Sequence, residues 1–69
     1  MIRIKLSRVL GEKRIKQKTL AEMTGLSPNT VFNLYHEKTR SIDFETLDKI
    51  CIALDCSPGD LLEFEPNNP

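Results

Sequence analysis

Apolar residues recur at three- and four-residue intervals through most of this chain, and the interval breaks only at a few polar or glycine-containing joints. Leu6, Val9 and Leu10 share one face with basic residues opposite, which predicts a first helix over about residues 4–13. A second is expected over 17–24, with Leu20, Ala21 and Met23/Thr24 inward and Gly25 ending it in the left-handed conformation that glycine adopts without steric cost. Ser27 then caps a third helix, Pro28 takes its first turn, and Val31 and Leu34 face inward as far as about His36. After the loop "EKTRSI", Asp43 caps a fourth helix in which Phe44, Leu47, Ile50, Cys51 and Leu54 fall at helical spacing. Ser57 starts a short fifth helix, with Asp60 three residues on as its capping-box partner.

The two ends follow a different period. "MIRI" alternates apolar with basic residues and "LEFE" alternates apolar with acidic ones. Strict alternation is the signature of a strand, and opposite charges suit two strands lying antiparallel. The expected architecture is therefore all-α: one compact five-helix domain over residues 1–65, its termini joined by a small two-strand ribbon, with a frayed tail at 66–69.

Size and composition then narrow the chemistry. A domain of 69 residues buries only about 60% of the surface of its unfolded chain, which leaves little room for a large catalytic cleft. No run approaches the roughly 18 apolar residues of a membrane span, and charges interrupt "MIRIKLSRVL" where a signal peptide would be apolar. A cytoplasmic protein with no membrane association is expected, and with so few residues after the fifth helix, no separate sensor domain. Cys51 and Cys56 form neither a CxxC pair nor a His/Cys cluster, so they read as reduced, small apolar residues with no metal site. His36, the one histidine, has no nucleophile or carboxylate placed beside it by the pattern. No glycine-rich phosphate loop is present, and the reading is of a non-enzyme without cofactor or small-molecule substrate.

The zero net charge conceals a division along the chain. Residues 1–40 hold nine basic against three acidic residues, a net +6, whereas residues 41–69 hold one basic against seven acidic, a net −6. A basic half of this kind points to a polyanion, although an ordinary solvated surface produces the same asymmetry.

Two short helices joined through Gly25, with the small Ala21 allowing their close approach, make a helix-turn-helix. The outer face of its second helix is Ser27, Pro28, Asn29, Phe32, Asn33 and His36. Asparagine can hydrogen-bond adenine's edge bidentately, serine can serve either kind of base edge, and an apolar ring can cover a thymine methyl. Each residue also has a plainer reading: Asn29 and Asn33 as solvated helix residues, Phe32 as packing beneath the loop after the helix.

The segment "QKTLAEMTGLSPNTVFNLYHEKTRSIDFETLDKICIALDCSPGDLLE" resembles the Cro/C1-type (XRE-like) helix-turn-helix family of phage repressors and small bacterial regulators, over about Leu6 to Glu63. The resemblance implies a lambda-repressor-like fold and double-stranded DNA as partner. It also implies that Ser27, Pro28, Asn29, Phe32 and Asn33 face bases, while Gln17, Lys38 and Arg40 hold phosphates. Two positions depart from the family pattern: Thr24 stands where an apolar residue is common, and Pro28 where a long polar side chain is frequent. Asn29 and Asn33 are then the main candidates for direct readout.

The expected function is a sequence-specific transcriptional regulator, a repressor, that reads the major groove with the helix at about 28–36. The alternative is a protein-binding module, such as an antitoxin or adaptor, that grips a partner with the acidic half. One short helix reads too few base pairs to find a site in a genome, so a homodimer on an inverted repeat is expected. Leu61, Leu62 and Phe64 are its candidate contacts, unless they finish the monomer core.

Overall fold

The computed structural model describes residues 1–66; of the tail expected to fray, residues 67–69 lie outside the described residues. The order of elements is β1 (Ile2–Ile4), α1 (Leu6–Lys13), α2 (Gln17–Thr24), α3 (Pro28–Tyr35), α4 (Phe44–Leu54), α5 (Pro58–Leu61) and β2 (Leu62–Phe64). The ribbon is antiparallel, with Ile2 opposite Phe64, Arg3 opposite Glu63 and Ile4 opposite Leu62. Helix α1 starts two residues later than its apolar period suggests, because residues 2–4 are drawn into the ribbon and the Lys5 amide donates to the Leu61 carbonyl at 2.6 Å.

Every helix supplies side chains to a single cluster: Leu6, Val9 and Leu10 from α1, Leu20 and Ala21 from α2, Val31 and Leu34 from α3, Ile50 and Leu54 from α4, and Leu61 from α5. Each large aliphatic among them gains about 1.5–3 kcal/mol from leaving water. Two inward expectations fail. Phe44 is 88% exposed and Met23 is also exposed, because at about 100° per residue each lies roughly a quarter to a third of a turn round its helix from the residues that fill the cluster. Leu61 is fully buried, so it belongs to the monomer core and is withdrawn as a candidate dimer contact; Leu62 is half-buried and Phe64 is exposed.

The joints carry the caps that the composition of the turns demands. Ser27 Oγ accepts from the Thr30 amide at 3.1 Å, and Asp43 Oδ1 accepts from the Thr46 amide at 3.2 Å. The Asp60 carboxylate accepts from the Ser57 amide at 3.0 Å, which holds its carboxyl below the ordinary carboxylate range. Gly25, at φ 76°, closes α2 through its amide to the Ala21 carbonyl. Thr24 completes that turn: its hydroxyl donates to the Leu20 carbonyl at 2.8 Å and accepts from the Leu26 amide at 3.2 Å. A half-buried hydroxyl with both partners costs little, which explains how threonine replaces an apolar residue there.

Among the described residues, three other than glycine adopt positive φ: Arg14, Glu37 and Asp55. Asp55 carries two disadvantages, the left-handed conformation and a negative charge at the C-terminal end of α4, whose last turn has no basic residue. Asp55→Gly relieves both and is expected to raise stability by about 1 kcal/mol in urea titration. A lower denaturation midpoint would show that the aspartate makes a compensating interaction.

Candidate nucleic-acid interface

Burial of Val31 and Leu34 fixes which side of α3 faces away from the core. On that side Ser27, Pro28 and Asn29 are exposed, Phe32 is 42% exposed and Asn33 is half-buried. Asn29 and Asn33 stand one turn apart, about 6 Å along the axis, which is a separation of one to two base steps. The Ser27 hydroxyl is engaged with Thr30, through the cap bond and a 2.8 Å contact to Thr30 Oγ1. Any base contact it makes competes with that bond.

The helix-turn-helix geometry brings the N-terminus of α2 alongside this face. Gln17, Lys18, Pro28, Asn29 and Phe32 together line an open groove of about 400 Å³. Helix α2 begins after Lys16 with no side chain capping it, in contrast to α3 and α4. Its first amides are free of protein partners from a cap, the positive end of the helix dipole lies there, and Lys16 and Lys18 flank it. This combination is chemically suited to an oxyanion. Sequence reasoning singled out Gln17 and passed over Lys16 and Lys18; the signal was present in "KQK" at a helix start that lacks Ser, Thr, Asp or Asn.

Lys38 and Arg40 separate in space. Lys38 Nζ lies 5.0 Å from the Phe32 ring centroid, and the same ring stands 4.4 Å from that of His36, so an aromatic and cationic cluster closes the C-terminal end of the α3 face. Phe32 is thus partly covered by the start of the following loop while keeping an exposed edge. Arg40 points elsewhere, lining a small hollow with Ile2, Ile4, Leu34, Thr39, Ser41 and Ile42 next to the ribbon. It makes no ion pair among the described residues.

Cys51 and Cys56 are half-buried free thiols, and burial, reinforced by the neighbouring Cys51, pushes the Cys56 thiol up, away from a reactive thiolate. Among the described residues no group of three His, Cys, Asp or Glu side chains is arranged to hold a metal, and no helix is long and apolar enough to cross a membrane.

A helix-turn-helix seated in five helices, with an outward amide-bearing second helix, defines a class, and the comparison of sequences agrees: residues 5–67 match the Cro/C1-type HTH DNA-binding domain, and the chain belongs to that family. Among curated proteins, it is similar to YozG, an uncharacterized HTH-type transcriptional regulator of Bacillus subtilis (strain 168), with 33% identity over 61 residues, covering 88% of this chain and 73% of the relative. No solved structure gives a significant match.

Proposed function

We propose that the protein is a sequence-specific transcriptional regulator, a repressor, that lays α3 in the major groove of double-stranded DNA. The convergence of the outward α3 face with the uncapped, lysine-flanked start of α2 in one groove is the observation that carries this reading. The family membership and the similarity to a protein named as a transcriptional regulator support it. Asn29 and Asn33 read base edges, with Ser27, Pro28 and Phe32 fitting the groove wall around them. Gln17 and Lys38 hold phosphates beside that face, with Lys16 and Lys18 adding to the charge at Gln17, and Arg40 takes a phosphate only from the ribbon side, toward which it points. Repression needs only that occupancy exclude other proteins from the same DNA. The protein acts from the cytoplasm, without cofactor or substrate, and as a homodimer on an inverted repeat.

Selection of bound sites from random duplex DNA tests the reading, and enrichment of a defined sequence is expected. On the selected site, Asn29→Ala and Asn33→Ala should each remove roughly 1–3 kcal/mol of discrimination at one or two base pairs, with little change in the thermal midpoint. Equal losses on matched and mutated sites would take both residues out of the readout. Lys38→Ala should weaken binding to all sequences alike and reduce the slope of log K against log salt by about 1. An unchanged slope would place Lys38 away from phosphate.

A second reading, a protein-binding module such as an antitoxin or adaptor, draws on the exposed Phe44 and Ile52, which stand on α4 among Glu45, Asp48 and Asp55. Retention on heparin separates the two: steep release by salt marks the DNA-binding protein, and salt-indifferent behaviour marks the module.

A further inference from the structure

We propose that Arg3 is a positioning residue for DNA binding, neutralising and holding aside Glu37, the acid that immediately follows the C-terminal end of the α3 face. The inference rests on the DNA-binding reading above. Arg3 comes from β1, 34 residues earlier in the chain, and meets Glu37 as a fork: Nε to Oε1 at 2.8 Å and Nη2 to Oε2 at 2.8 Å. Its remaining nitrogen, Nη1, reaches Glu65 Oε1 at 3.1 Å, and Lys5 Nζ lies 3.4 Å from the other Glu65 oxygen. Two acids and two bases thus form a neutral chain from the end of the ribbon to the end of α3.

The position of Glu37 gives this arrangement its meaning. It lies between His36 and Lys38, at the end of the face that DNA would meet, and it adopts φ 56°, a conformation glycine would take without strain. Of the three strained positions, it is the one whose side chain is hydrogen-bonded among the described residues. A residue kept in such a conformation with its side chain engaged calls for a functional account. Arg3 also holds the Glu37 carboxyl below the ordinary carboxylate range, and since a glutamate is ionised near neutral pH even without such a partner, protonation cannot relieve the charge. Left unpaired, that charge would stand within a Debye length of the phosphates that Lys38 approaches. Partly exposed pairs of this kind add little to stability, so the fork's main effect falls on the field at the interface rather than on the fold.

Binding of a labelled mixed-sequence duplex to the full chain at low salt tests this, with thermal melts of each variant alongside. Arg3→Ala is expected to weaken binding about tenfold while melting within a few degrees of the parent, and Arg3→Lys, which keeps the charge, to stay within about threefold of it. The deciding variant is the double substitution Arg3→Ala with Glu37→Gln. If Arg3 acts by neutralising Glu37, removing the acid restores binding to within about threefold of the parent, although no fork remains. A double variant as weak as Arg3→Ala alone would overturn the proposal, since Arg3 would then act on the phosphates directly or only on the fold. Parent-like binding by Arg3→Ala would overturn it too. Failure of the parent chain itself to bind any duplex would overturn the DNA-binding reading and this inference with it.

Discussion

Leu20→Ala is expected to remove most of the stability of this domain. Leu20 is fully buried on α2, which packs against both α3 and α4, and truncation there leaves a cavity bounded by three helices. Buried leucine truncations cost about 2–5 kcal/mol, whereas a domain of this length is stable by only roughly 3–10 kcal/mol in total. A loss near 3 kcal/mol corresponds to a fall of roughly 12–24 °C in Tm. Because the same side chain seats α2 beneath α3, DNA binding should fail in the temperature range where the variant begins to melt. Phe44→Ala is the matched control. At 88% exposure its ring touches little, and its effect should stay within about 0.5 kcal/mol. A comparable loss from both substitutions would show that Phe44 is seated in the core after all.

That pair of residues also marks where the sequence is legible. Local chemistry decides a turn, and the turns were readable: Gly25 for the left-handed close of α2, Ser27 with Pro28 for the start of α3, and Asp43 for the start of α4, each placed within a residue of its position in the fold. The ribbon was readable for the same reason, since alternation over residues 2–4 and 62–64 has no other economical explanation. Helical spacing, by contrast, assigns a residue to a face and says nothing of how far the neighbouring elements extend. Phe44 and Ile50 stand at opposite edges of one apolar arc, about 120° apart round α4, and only Ile50 lies over the cluster. Leu61 is ambiguous between core and interface in the sequence, and the packing of α5 against α1, where Leu61 is fully buried, commits it to the core.

The candidate site divides along the same line. The amide-bearing face of α3 follows from its own sequence, because burial of Val31 and Leu34 leaves Asn29 and Phe32 outside. What no local pattern could supply is the company these residues keep. Gln17 and Lys18 join Asn29 in one groove only because of the angle between α2 and α3, and Arg3 reaches Glu37 only because β1 ends beside the exit of α3. Lys38 and Arg40, two residues apart, look equivalent in sequence but diverge because the chain turns between them, one toward Phe32 and the other toward the ribbon.

Insertion of five base pairs between the half-sites of the selected operator is expected to abolish cooperative binding. The helix α3 has two turns, and its two amides span one to two base steps, so one copy reads too little sequence to compete against the roughly 10⁶ or more other positions of a genome. Two copies related by a two-fold axis double the information, provided both α3 helices reach major grooves on the same side of the duplex, about 34 Å apart. Five base pairs is half a helical turn, so the insertion rotates one half-site to the opposite side, and no rigid dimer can span both. Gel-shift titration should then show affinity falling to that of an isolated half-site, while ten inserted base pairs return the faces to register but widen the gap. With Leu61 committed to the core, the candidates for the proposed dimer contact are Leu62, which is half-buried, and Phe64, which is exposed and stands opposite the equally exposed Ile2 on the ribbon. Phe64→Asp should therefore lower cooperativity on the full operator without weakening binding to a single half-site. Equal affinity and one-protein stoichiometry on half-site and full operator would show instead that a single copy is the functional unit.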